Sequence, residues 1–222
     1  MHVLVNAATS ADGKLSSRRR EQIAISGPED FARVDRVRAQ SDAVMVGVGT
    51  VLADDPSLTV KDGSLRERRV EAGRPEQPAR VVADSRARTP PEAEVLDDAA
   101  RTFLLVADVA PTERVETLAE AGANVIRAGD DQVALPEALE RLESEGIDRL
   151  MVEGGGELIF SLLAAGLVDE LSVFVGGKII GGREAPTLAD GDGFVEGFPA
   201  LDLRAVERLD DGVLLCWNVE EK

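Results

Sequence analysis

Apolar and polar positions follow two rhythms along the chain. Short β-branched runs read as buried strands: "HVLVNAA" (His2–Ala8), "DAVMVGVG" (Asp42–Gly49), "ARVVAD" (Ala79–Asp84), "RTFLLVA" (Arg101–Ala107), "NVIRAG" (Asn124–Gly129), "DRLMVEGGG" (Asp148–Gly156) and "DELSVFVGG" (Asp169–Gly177). Between them lie stretches with helical spacing. "SGPEDFARVDRVRAQ" (Ser26–Gln40) repeats apolar Phe31, Val34 and Val37, with Arg33, Arg36 and Arg38 on other faces. Ser26 can cap it, Pro28 suits its first turn, and Glu29 and Asp30 complement the helix dipole. "TERVETLAEAGA" (Thr112–Ala123), "LPEALERLESEG" (Leu135–Gly146) and "ELIFSLLAAG" (Glu157–Gly166) are further helices, each closed by a glycine. "LDLRAVERL" and "VLLCWNVE" around Asp210-Asp211-Gly212 read as an antiparallel hairpin. The polar, Gly- and Pro-bearing "KDGSLRERRVEAGRPEQP" (Lys61–Pro78) reads as a surface loop, and "SSRRREQ" (Ser16–Gln22) as an exposed polar stretch.

Strands alternating with helices imply an α/β fold: a largely parallel central sheet, flanking helices and a C-terminal antiparallel hairpin. No linker or internal repeat divides the chain, so residues 1–222 are expected to form a single domain. Composition agrees. Hydrophobic residues make up 44% and aromatics only 3%, so Val, Leu, Ile and Ala must build the core.

Charge changes the picture more. Asp and Glu number 42 against 25 Lys and Arg, a net charge of −17, which repels nucleic-acid phosphates and anionic lipid. Lysines are confined to Lys14, Lys61, Lys178 and Lys222. Abundant acid with so few lysines fits adaptation to high salt, where screening weakens self-repulsion. One His (His2) and one Cys (Cys216) exclude an intrachain disulfide and a His/Cys zinc cluster. They leave no sensible Ser-His-Asp triad. No apolar run is long enough to span a bilayer and the N-terminus has no signal-peptide pattern, so a cytoplasmic protein is expected.

Candidate chemistry collects where strands end. "VGVGTVLADDPSLTV" (Val46–Val60) leaves a buried strand with Thr50, Asp54 and Asp55 in quick succession. "LMVEGGGELIFSLL" (Leu150–Leu163) joins a strand to a helix through three glycines, with Glu153 just before them. Such a turn lets backbone N–H groups approach an anion, and the helix N-terminus adds a favourable field. It lacks the lysine and hydroxyl of a P-loop and the full dinucleotide fingerprint. "SADGK" (Ser10–Lys14), "DSRAR" (Asp84–Arg88) and "GGKIIGGREAPTL" (Gly176–Leu188) complete the set. Taken singly each has an ordinary structural explanation. In a parallel sheet the strand ends would meet at one edge, where ligands bind in open α/β folds. Lacking a suitable His, Cys or Tyr, such an edge suits hydride transfer, in which a cofactor carries the chemistry.

Read in order, "SADGK", "ISGPEDFARVDRVRAQSDAVMVGVGTVLADDPSLTV", "RVVADSRARTPPEAEVL", "MVEGGGELIFSLLAAGLVDELSVFVGGKIIGG" and "APTLADGDGF" closely resemble the riboflavin-biosynthesis reductase family over essentially the whole chain. The resemblance implies a dihydrofolate-reductase-like fold, a homodimer and NADPH as cofactor. It implies an enzyme that reduces the ribosylamino side chain of 2,5-diamino-6-ribosylamino-4(3H)-pyrimidinone 5′-phosphate to ribitylamino. It places Thr50, Asp54, Ser85, Gly155, Gly156 and Glu157 at the cofactor, Arg38, Leu58, Lys61 and Glu153 at the substrate, and Asp12 among the catalytic residues. Arg86 and Arg88 are candidate partners for the cofactor 2′-phosphate. Asp55 is expected to be a turn residue before Pro56. Lys61 stands where an arginine is usual, which keeps the charge but loses the bidentate fork. Neither H-x-E nor P-C-x-x-C occurs, so a stand-alone reductase without a zinc deaminase is expected. The alternatives are the same reduction on the deaminated uracil phosphate, a dihydrofolate-reductase-like enzyme on a pterin or folate, and a nucleotide-binding module without turnover.

Overall fold

The computed structural model describes residues 1–21 and 23–220. Gln22, the last residue of the predicted polar stretch, lies outside the described residues. By its contacts the chain divides into two compact units: Met1 with Asp35–Met151, and His2–Val34 with the chain from Val152 onward.

The first unit holds β2 (Ala43–Gly47), β3 (Ala79–Ala83), β4 (Thr102–Val106) and β5 (Ala123–Arg127), paired in parallel in the order β5-β4-β3-β2. Helices α2 (Val48–Asp54), α3 (Gly63–Glu71), α4 (Thr112–Glu120) and α5 (Leu135–Ser144) alternate with them. A hydrophobic cluster including Val44, Val46, Val82, Leu104 and Val106 joins the strands to Val51 of α2 and Leu118 of α4. Burying those aliphatic side chains is the main favourable term for this unit.

The second unit pairs β1 (His2–Ser10) in parallel with β7 (Glu170–Gly176). The hairpin of β8 (Leu201–Leu209) and β9 (Gly212–Val219) then adds to β7 in antiparallel register. Helix α6 (Gly156–Ala164) completes it, and a small cluster of Ile25, Phe174 and Leu214 forms part of its core. Helix α1 (Pro28–Gln40) and strand β6 (Arg149–Gly154) carry the chain from one unit to the other.

The predicted α/β order, the largely parallel pairing and the antiparallel C-terminal hairpin are all present. Three local expectations are corrected. The apolar run assigned to a strand through Gly49 turns into helix at Val48, which places Thr50 and Asp54 four residues apart on α2 and so on one face. The Lys61–Pro78 stretch is not a loop: it contains α3, started by Asp62, whose carboxylate accepts from Ser64 N–H at 2.7 Å. Its inward residue is Arg69, which is buried and donates to the carbonyl oxygens of Ala39, Ser41 and Pro75. Desolvation and the neighbouring Arg74 lower its pKa to about 10, so it stays charged. Finally, α1 is capped by Asp210 of the hairpin turn rather than by Ser26. Its carboxylate accepts from Glu29 N–H at 3.1 Å and Asp30 N–H at 2.9 Å. Phe31, assigned to the apolar stripe of α1, is exposed.

Candidate active site

In the first unit the segment after α2 is bent sharply. Asp55 and Leu58 both have positive φ, +40° and +51°. Asp55 ends α2 in the left-handed region, and its carboxylate accepts from Glu94 N–H at 2.8 Å. It is thus the structural acid of the pair, as expected. A left-handed leucine is costly, and its neighbours explain how it persists. The side chain of Leu58 is fully buried in the core cluster. The carbonyl before it, Ser57 O, accepts from Arg80 Nε at 2.9 Å, and the carbonyl after it, Thr59 O, accepts from Arg38 Nη1 at 3.0 Å.

Those clamps gather polar groups on a short stretch of chain. Lys61 Nζ donates to Ser57 Oγ at 2.6 Å and to Thr59 Oγ1 at 2.9 Å. The Lys61 and Asp62 amides are held by the Asp35 carboxylate, each at 2.8 Å. Arg38, Leu58 and Lys61, all assigned to the substrate side, are therefore brought together. Leu58 contributes its backbone, because its side chain is committed to the core.

Thr50 is half-buried and Asp54 exposed on α2. Partial desolvation raises the Asp54 carboxyl above its ordinary value. Ser85 follows β3, and its hydroxyl accepts from Val133 N–H at 3.1 Å. Beside it Asp84 is fully buried. One of its oxygens accepts from the Thr89 amide and hydroxyl at 2.7 and 2.8 Å, while the other has no hydrogen bond and pairs with Arg88 Nε at 3.8 Å. Arg86 and Arg88 on this turn are exposed.

In the second unit β6 ends at Gly154, and the glycine turn follows. Gly154 and Gly155 have φ of +154° and +95°. No side chain caps α6, so its first amides are left for another acceptor. Gly156 is a glycine for a different reason: a Cβ there would collide with the backbone oxygen of Thr187. The Thr187–Asp190 loop is tied to this point by Asp190 N–H donating to Gly156 O at 3.0 Å, and by Thr187 N–H and Oγ1 donating to the Asp190 carboxylate. Glu157 is exposed on the first turn of α6, and Glu153 is half-buried at the end of β6.

Asp12 sits on the turn after β1. Its carboxylate accepts from Ser10 Oγ at 2.6 Å, Ile180 N–H at 3.0 Å and Gly181 N–H at 2.7 Å. The Ser10 hydroxyl, then those amides, outweigh desolvation and lower its pKa to about 2.

Sequence reasoning missed Arg80 and Asp35, and it named Asp84 only as the start of the "DSRAR" segment. Arg80 sits inside the apolar run "ARVVA", is fully buried, and also donates to Val95 O, Asp97 O and the Asp97 carboxylate. A lone arginine in a buried strand was the available signal. Asp35 carried none in so acidic a chain. Among the described residues no group of His, Cys, Asp and Glu is suited to hold a metal.

The sequence model of the RibD C-terminal domain matches residues 1–215. The 2,5-diamino-6-ribosylamino-4(3H)-pyrimidinone 5′-phosphate reductase of Archaeoglobus fulgidus is 48% identical over 211 residues, covering 95% of this chain and 94% of its own. That of Methanothermobacter thermautotrophicus is 48% identical over 221 residues, covering 99% and 98%. In three dimensions the chain is similar to a pyrimidine reductase-like protein of Corynebacterium diphtheriae, with TM-score 0.87 and 20% identity over 100% of this chain and 92% of the other. It is also similar to RibD of Acinetobacter baumannii, with TM-score 0.80 and 25% identity over 99% of this chain and 58% of that one.

Proposed function

The chain belongs to the RibD C-terminal domain family, and from that membership we propose that it is a reductase of riboflavin biosynthesis. It takes a hydride from NADPH to convert the ribosylamino side chain of 2,5-diamino-6-ribosylamino-4(3H)-pyrimidinone 5′-phosphate to ribitylamino. The observation that carries the geometric side of this reading is the cationic cluster after α2. In a chain of net charge −17, Lys61 and Arg38 converge on the hydroxyl-bearing Ser57–Thr59 segment, which suits a phosphate monoester.

Each unit by itself carries groups that fit part of a nicotinamide dinucleotide. The first amides of α6 lack a side-chain cap and follow glycines of positive φ, which suits a pyrophosphate at Gly155, Gly156 and Glu157. Thr50 and Asp54 share a face of α2 and take the cofactor's polar groups, and Ser85 with exposed Arg86 and Arg88 suits a 2′-phosphate, the basis for choosing NADPH over NADH. When bound, the cofactor supplies a hydride. Reduction of the opened sugar's C=N bond would leave its nitrogen in need of one proton. Arg38, Lys61 and the Leu58 backbone orient the substrate, with Glu153 as acceptor for a polar substrate group. Asp12 holds its carboxyl ionised at neutral pH and is unsuited to give that proton; water is the simplest donor.

The same reading extends to assembly and setting. Strand β8 leaves Leu201, Leu203 and Val206 exposed, and β9 adds Val213, a patch a second copy would cover in a homodimer. Residues 1–222 act as one reductase domain. No helix of the described residues is long and apolar enough to cross a membrane, and a reductase consuming NADPH suits the cytoplasm. The acid-rich, lysine-poor composition suits a high-salt cell interior.

The test is NADPH oxidation assayed with the diaminopyrimidine phosphate, the deaminated uracil phosphate and dihydrofolate, at high and low salt. Turnover dependent on the diamino compound is expected. Turnover with dihydrofolate alone, or none with any of the three, overturns the reading. Asp54→Ala is expected to lower kcat/KM about tenfold or more, mostly by weakening NADPH binding. Unchanged affinity and turnover would remove Asp54 from the site.

A further inference from the structure

The loop after β7 is long and glycine-rich. Gly181 and Gly182 have φ of +67° and +90°, and Ile179 is 76% exposed. Glycines in the left-handed region leave a segment with many alternatives, so something must select one. Three sets of hydrogen bonds tie this loop to the turn after β1. Ala11 N–H donates to Lys178 O at 2.8 Å, and Leu15 N–H donates to Pro186 O at 2.8 Å. Lys14 Nζ donates to Ala185 O at 3.2 Å, while Lys178 Nζ reaches past that turn to Ala24 O, ahead of α1. Asp12 then grips two successive amides, Ile180 and Gly181, between those ties. Its own orientation is set by the buried Ser10 hydroxyl, which donates to Asp12 and accepts from Lys14 N–H at 3.0 Å.

The gripped backbone lines a cavity of about 520 Å³, together with Ser17, Arg18 and Ile23. Its lining is unusual for this chain: isoleucines and two cations, without a carboxylate. We propose that Asp12 is a positioning residue, which pins the Ile179–Gly182 backbone so that this cavity accepts a flat heterocyclic ring. The ring lies against the isoleucines, and its carbonyl oxygen faces Arg18 and Lys178. A pyrimidinone and a nicotinamide share that chemistry, and the phosphates of either ligand stay outside the cavity. A carboxylate receiving three hydrogen bonds stays ionised throughout the neutral range, which keeps the grip constant. The consequence for turnover rests on the reductase reading; the pinning does not.

The test separates the two. Asp12→Ala and Asp12→Asn are digested with trypsin under native conditions, and cleavage after Lys178 and Arg183 is followed by mass spectrometry. Released from Asp12, the loop is expected to be cut about tenfold faster than in the unchanged protein, as cleavage follows the population of the open form. Asp12→Asn lies between, because its amide keeps one acceptor. Ser10→Ala, which removes only the orienting hydroxyl, moves the same way by less, and it keeps the test decisive if Asp12→Ala fails to fold. In the NADPH assay, the KM of whichever ligand uses the cavity rises about tenfold while kcat stays within about threefold. A rise in the pyrimidine KM assigns the cavity to the substrate; a rise in the NADPH KM assigns it to the cofactor. Unchanged cleavage in all three variants overturns the pinning. Faster cleavage with both KM values unchanged overturns the cavity's role. A hundredfold fall in kcat with an unchanged loop would make Asp12 a catalytic residue instead.

Discussion

The segments that carry the candidate residues are fixed differently in the two units. In the first, two non-glycine residues are forced left-handed and arginines hold the carbonyls around them. Leu58 lies between carbonyls taken by Arg80 and Arg38, and buried Ala87, at φ +53°, lies beside carbonyls taken by Arg114. In the second, the backbone is relaxed by glycine, and aspartates hold the amides: Asp12 at Ile180 and Gly181, Asp190 at Thr187. A guanidinium fork reaches several carbonyls at fixed angles and does not titrate. A carboxylate takes successive amides but can be neutralised by a proton. The first device suits a segment that must keep one shape whatever its surroundings. The second suits a loop whose closure can be lost locally without cost to the core.

The comparison breaks most visibly at Arg80. Removing this buried side chain leaves the carbonyls of Ser57 and Asp97 without this donor, leaves Val95 O with the Thr102 hydroxyl alone, and takes from Leu58 one of its two clamps. Loss of one partner from a buried charged network typically costs about 3–5 kcal/mol. Arg80→Ala is therefore expected to lower urea-unfolding stability by about that much. Arg80→Lys, which keeps the charge but loses the fork, should recover only part of it. A loss in Arg80→Ala below about 1 kcal/mol would mean that Leu58 holds its conformation without the arginine.

That arginine also marks the limit of what the chain discloses. The strands were legible because β-branched runs such as "AVMV" and "FLLV" have no other good home. Helices α4 and α5 were legible from apolar spacing and terminal glycines. Helix α2 was not, because "VGTVLAD" continues an apolar, β-branched run, and only the burial of Val48 and Val51 three residues apart shows it as helix. Helix α3 was hidden because its buried side is Arg69, whose partners Ala39 and Ser41 lie about thirty residues earlier. The same distance problem governs the site. The substrate-side cluster is nearly local, since Leu58 and Lys61 neighbour each other. The hold of Asp12 on Gly181 spans 169 residues, and no local pattern announces it.

Glycine offers the next test, because the second unit uses it in two ways. Gly155 is left-handed, whereas Gly156 is a glycine because the Thr187 backbone leaves no room for a side chain. Forcing a methyl into a well-packed contact costs about 1–3 kcal/mol, so Gly156→Ala should destabilise by that amount. It should also loosen the Thr187–Asp190 loop, seen as faster amide exchange at Thr187 and Asp190. Gly49 of α2 is the matched control: a Cβ there meets nothing within 4 Å. Gly49→Ala should be neutral or stabilising by up to about 1 kcal/mol. Equal losses at the two sites would show that packing on the 187–190 loop is not what requires glycine.

Acid gives the smallest and most selective effect. The Asp12 carboxyl is depressed from 3.8 to about 2 by Ser10 and the Ile180 and Gly181 amides. For a depressed carboxyl the contribution to the folded state is fully present above 3.8 and is lost as pH falls through 2. The Leu58 bend, held by guanidinium groups, has no such step from its clamps. At high salt, where the acidic chain is screened, the Gly181 amide resonance should therefore move with a midpoint near 2. Over the same range the Leu58 amide should stay in place until the protein unfolds as a whole. A Gly181 midpoint at 3.8 would mean that the carboxylate gains nothing from its three donors, and the contrast between the two units would fail at its most exposed point.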